Sequence, residues 1–215
     1  MSNNIKVYQL TEHIPVYVKY DNDSTVNFNR VLKSVRNAIP EQLYDETLQE
    51  IMIGNFDGLK TKSIQGGYES GVIYLDSNLL NKSEDNIIKN IVHEIGHAIE
   101  VESGDVLFNN QDIQTEFLDK RMKLYDSLHS MDLDPDMNMF LKLDYNTDFD
   151  NYLMNEVGYD VVHEISSDYM IDPYAFTDLH EYIIMNFEKY ALGDVLNVKN
   201  KSNTVYSYIS NMMRG

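Results

Sequence analysis

Short stretches of alternating apolar and polar residues occupy the first third of the chain, and longer stripes with a period near 3.6 occupy the rest. Residues 5–10 and 14–20, the latter reading Ile-Pro-Val-Tyr-Val-Lys-Tyr, predict two short strands. Over 27–39, Phe28, Val31, Leu32, Val35 and Ile39 recur at helical spacing, and Pro40 stops the helix. A third strand is expected over 48–56. Gly66, Gly67 and Gly71 bracket a turn, after which Val72-Ile73-Tyr74-Leu75 reads as another strand.

The period then changes. Ser83 suits an N-cap, Ile87, Ile88, Ile91, Val92, Ile95 and Ile99 form one stripe, and Gly104 suits the position after a helix end, which predicts a helix over 83–103. A second helix is expected from 112, with Ile113, Phe117, Leu118, Leu124, Tyr125 and Leu128 inward. Its Glu116/Lys120 and Asp119/Lys123 pairs are expected on the outer side. Residues 130–151 read as acidic and irregular. Further helices are expected over 156–171, over 177–192 with Asp178 and Glu181 at capping-box spacing, and over 203–213. Strands first and helices after predict an α+β fold rather than alternating α/β. The chain reads as one domain over 1–215, strand-rich over 1–80 and helical over 81–215.

Charge narrows the partners. The 215 residues carry 35 acidic and 17 basic side chains, a net charge of −18. Such a chain repels phosphate backbones and anionic lipid, so neither nucleic acid nor a membrane is an expected partner. There is no cysteine, which excludes disulfides, thiolate zinc ligands and thiol catalysis. No apolar run reaches membrane-spanning length, and the N-terminus lacks the basic and apolar regions of a secretory signal. A cytoplasmic or virion-associated setting is expected, though a mature secreted form would read the same way. Composition leaves the oligomeric state open.

The candidate chemistry lies in the 83–103 helix, in His93-Glu94-Ile95-Gly96-His97. Residues four apart project from one helical face, so both imidazoles can reach one metal ion. Glu94 lies beside that face, able to act on a water without ligating. Imidazole pairs suit zinc, whose site then calls for a third protein ligand. A third His soon after the motif is absent, since Glu100 and Ser103 occupy those positions. The first candidate is Glu164, in His163-Glu164-Ile165-Ser166-Ser167-Asp168, with Asp168 four on to accept from a liganding imidazole. His163, Glu156, His129 and Glu100 are its rivals.

These residues resemble the gluzincin metallopeptidases, and Glu164-x-x-Ser167-Asp168 is similar to the thermolysin-like ligand helix. The wider layout resembles the catalytic domain of anthrax lethal factor and the Pro-Pro endopeptidases, over roughly residues 48–175. The resemblance implies a zincin-like fold: a small mixed sheet, the active-site helix, then a mainly helical part. It also implies that 103–155 is an insertion, because 67 positions separate His97 from Glu164. The lethal-factor group has a catalytic Tyr seven before the ligand Glu; here that position is Val157, leaving Tyr159 or Tyr152 as substitutes.

The expected function is a zinc endopeptidase acting on a peptide or protein, with Zn²⁺ on His93, His97 and Glu164 and with Glu94 as general base. The strand over 71–76 is expected to be the sheet edge that an extended peptide joins, with Gly66, Gly67 and Gly71 around Tyr68 as a mobile lip. The alternative is a non-enzymatic structural, virion or interaction protein with a vestigial or purely structural metal. Asp132, Asp134 and Asp136 resemble a calcium loop, but Pro135 intrudes and Met137 and Leu143 stand where Gly and Glu are needed.

Overall fold

The computed structural model describes residues 4–20, 25–56 and 66–215. Residues 1–3, the start of the stretch read for a secretory signal, lie outside them. The chain divides into two compact units, Met1–Gly104 and Asp105–Gly215. By contacts the division falls at Gly104, so the helix that carries His93 and His97 packs with the sheet of the first unit.

The first unit contains a mixed five-stranded sheet in the order β1-β2-β3-β5-β4. Its strands are β1 (Asn4–Gln9), β2 (Pro15–Tyr20), β3 (Glu50–Gly54), β4 (Gly66–Glu69) and β5 (Val72–Leu75). The pairs β2/β3 and β3/β5 run parallel, while β1 and β4 are antiparallel to their neighbours. Register puts Val16, Ile51 and Ile73 in one row and Val18, Ile53 and Leu75 in another, all with no exposed surface. Helix α1 (Phe28–Ala38) buries Phe28, Val31, Leu32 and Val35, and the Phe28 ring lies 5.3 Å from that of Tyr8 on β1. Helix α2 (Glu84–Glu102) packs on α1, β4 and β5.

One correction matters for the site. The strand over 72–75 is interior, and among the described residues the edge on that side is β4, read from the sequence as a turn. Four residues, two of them glycine, carry too little alternation to signal a strand, and their pairing with β5 decides the matter.

The second unit is helical: α3 (Gln111–His129), α4 (Met137–Phe140), α5 (Thr147–Asn151), α6 (Tyr159–Ser166), α7 (Leu179–Ala191), α8 (Val195–Lys201) and α9 (Asn203–Met212). The stretch 130–151 holds two short helices, capped by Asp136 and Asn146. Asp136, one of the three calcium-loop residues, accepts from the Asn138 N–H at 2.9 Å as that cap. The helix expected over 156–171 is shorter, because a π-helical turn (Tyr152–Val157) and Gly158 at φ +88° precede it. It ends at Ser166, whose hydroxyl donates back to the Val162 carbonyl at 2.6 Å.

The outer pair expected at Glu116/Lys120 also turns inward. Tyr182 donates to Glu116 Oε1 at 2.6 Å and the Thr204 N–H donates to Oε2 at 2.9 Å, tying α3 to α7 and α9. Lys120 is 5% exposed and donates to the carbonyls of Tyr169 and Lys201, and burial pushes its ammonium down to about 8. Beside it, Arg121 is fully buried and donates to the carbonyls of Met139, Lys142, Phe176 and Thr177. Its guanidinium lies 4.7 Å from the Phe117 ring centroid and 4.4 Å from that of Phe149. One side chain thus fastens α3 to α4 and to the start of α7. No helix among the described residues is long and apolar enough to cross a membrane.

Arg121→Met should orphan those buried carbonyls and lower stability by about 3 kcal/mol or more, since each lost acceptor costs about 1–3 kcal/mol. Urea unfolding followed by far-ultraviolet circular dichroism checks it, and a change below about 1 kcal/mol would contradict the fastening role.

Candidate metal centre

Helix α2 presents the site because both its ends are specified locally. The Ser83 hydroxyl oxygen accepts from the Asn86 N–H at 3.3 Å, and Glu84 and Asp85 complement the helix dipole in the first turn. Glu84 also pairs with Arg30 and accepts from the Asn27 N–H at 3.1 Å, which fixes this end of α2 against the start of α1. Gly104, at φ +75°, takes the left-handed position past the other end.

Ile87, Ile91, Val92, Ile95 and Ala98 are buried, and the flank of that stripe carries His93 and His97, both half-buried. Their Nε2 atoms converge to 3.3 Å, with ring centroids 5.0 Å apart and planes at 71°. Two nitrogens each about 2.0–2.1 Å from one tetrahedral ion stand about 3.3–3.4 Å apart, so the pair already has the separation that a shared zinc would impose. With no cysteine in the chain, imidazole and carboxylate are the side-chain donors left to such a site, and zinc accepts both.

Glu94 is on a different side of the helix and only 6% exposed. Its carboxylate lies against the edge strand: a Cβ built on Gly66 would stand 2.7 Å from Glu94 Oε1. Farther along, the Tyr68 hydroxyl donates to Glu102 Oε1 at 3.0 Å, tying β4 to the last turn of α2. Burial and Glu102 together raise the Tyr68 phenol above its usual range. The first unit therefore carries the His93/His97 pair and, on another side of the same helix, Glu94 against β4.

The other expected site residues fall in the second unit. Glu164 and His163 are on the exposed side of α6, whose buried positions are Val162 and Ser166. Asp168 is exposed in the turn after the helix, not one helical turn beyond Glu164 on a continuous face. Tyr159 donates its hydroxyl proton to Asp150 Oδ1 at 2.7 Å, while Tyr145 takes Oδ2 at 2.7 Å. Burial, together with that carboxylate, raises the Tyr159 phenol well above its usual range. Tyr152 is buried in the π-helical turn. Among the rival ligands, His129 and Glu156 are exposed, whereas Glu100 on α2 is 3% exposed.

Sequence reasoning assigns Gly66 to a mobile lip and misses its place in β4 against the Glu94 carboxylate. Its only local signal is a glycine pair before Tyr68, and its meaning comes from packing 28 positions away. No family model, curated protein or solved structure matches the chain.

Zinc titration should show one site on the wild-type chain, and His97→Ala should weaken it by at least about 100-fold, given that even groups supporting a ligand matter by 10–100-fold. A chromophoric chelator competition measures this, and equal affinity in the two proteins would exclude the imidazole pair as the metal's seat.

Proposed function

We propose that this chain is a zinc-dependent endopeptidase. The observation that carries the reading is the approach of the His93 and His97 Nε2 atoms to 3.3 Å, one residue from a glutamate seated against a sheet edge. His93 and His97 would hold the ion, with Glu164 the third ligand expected from the motif. Zinc, when bound, acidifies water to a pKa of about 7 and polarises a peptide carbonyl. Glu94 then takes the proton from the attacking water and delivers it to the leaving nitrogen, so the carboxylate starts and ends ionised. Tyr159 takes no part in this scheme, because its only hydroxyl proton is already donated to Asp150.

Substrate binding falls to β4. Among the described residues it pairs only with β5, so its outer edge offers peptide groups to an extended chain. An added strand makes main-chain hydrogen bonds at any sequence, which suits an enzyme whose substrate is a peptide. The preserved Glu94 also favours catalysis over a purely structural metal, which has no use for a general base.

The test is cleavage of unfolded casein with and without chelator, with activity expected to return on adding zinc. Glu94→Gln should lower the rate by about 10²–10⁴-fold while zinc stays bound, as loss of a general base does. Metal loss in this variant would make Glu94 a ligand instead, and full activity would remove it from the mechanism.

Glu164→Ala should leave a protein that folds but loses most of its zinc on dialysis, read by metal analysis. Retained zinc would reassign the third ligand.

A further inference from the structure

We infer that Gly66 is a positioning residue for the Glu94 carboxylate, setting how closely the general base approaches the edge strand. The inference rests on the proposed peptidase reading of the site. Glycine usually earns its place in a chain through positive φ, as at Gly54 (φ +129°) and Gly71 (φ +86°) in the same sheet. Gly66 is different, since it lies in β4, opposite Leu75 in regular antiparallel register, with no left-handed backbone to accommodate. Backbone conformation alone would accept alanine there, which loses less chain entropy on folding than glycine.

Space is what excludes it. A Cβ on Gly66 would lie 2.7 Å from Glu94 Oε1 and 2.9 Å from Leu75 Cδ2. Leu75 has no exposed surface and Glu94 only 6%, so neither neighbour can swing into solvent without cost. Restoring ordinary contact requires the carboxylate to retreat by about 0.5–0.7 Å, and misplacement of a catalytic group by about 1 Å can cost about 10²-fold. Strand β4 is held while this happens: Tyr68 ties it to Glu102, and its pairing with β5 runs through four residues. The strand therefore works as a fixed stop, and the missing side chain at 66 defines where Glu94 rests.

The experiment compares wild type with Gly66→Ala in cleavage of a quenched fluorescent peptide derived from a casein cleavage site. The expected result is a kcat lowered by about 10–100-fold, with KM and zinc affinity within about twofold of wild type and a thermal midpoint lowered by about 4 °C or less. Two backgrounds separate the neighbours. In Glu94→Asp, whose carboxylate is withdrawn by one methylene, adding Gly66→Ala should lower kcat by less than about twofold. In Leu75→Val, which makes room in the core, the tenfold or greater loss should persist. If Leu75→Val restores the rate and Glu94→Asp does not, the added methyl acts through the core and the inference fails. An unchanged kcat in Gly66→Ala, or a kcat loss matched by lost zinc, also overturns it. If Gly66→Ala does not fold, pairing it with Glu94→Asp should recover folding, and failure to do so overturns the inference. Absence of zinc-dependent cleavage in the wild type would instead remove the peptidase reading, and this inference with it.

Discussion

The rise and turn of one α-helix set everything else in the first unit. Residues four apart stand on one face of α2, and that spacing alone brings two imidazole nitrogens to the separation of ligands on one small cation. The same turn rotates Glu94 away from them and into the sheet edge. A helix is needed for both results, and its apolar stripe on α1, β4 and β5 keeps this one in place.

The sheet answers to the helix in return. Its two interior rows of aliphatic residues bury one face, and their parallel pairing leaves β4 as an antiparallel edge strand. An edge strand ordinarily invites unwanted pairing. Here it is short, carries glycines and is fixed to α2 through Tyr68, so the exposed stretch is small and its position defined.

What could be read from the chain follows the range of the forces involved. The α2 helix was legible because its stripe, caps and motif all lie in one continuous stretch from Ser83 to Gly104, and α7 was legible through Asp178 for the same reason. Strand β4 was not, since pairing with β5 rather than local alternation makes it a strand. The helix around Glu164 was read too long because Gly158 and the back-bonding Ser166 break a pattern that looks continuous in apolar periodicity. Lys120 was misplaced because i,i+4 charge pairing implies a solvated face, whereas carbonyls from two distant segments draw it inward. For the site, the two histidines and Glu94 declared themselves by spacing. Gly66 did not, because its role is an empty volume that only the folded chain defines.

Arg121 shows how the second unit manages a buried cation in a strongly acidic chain. Its hydrogen bonds go to peptide oxygens and its faces to aromatic rings, while the Asp178 carboxylate acts on it through its charge. Peptide oxygens take up no proton in mild acid, whereas Asp and Glu do. The hydrogen bonds of this clasp therefore outlast an acid excursion that would remove the charge of Asp178.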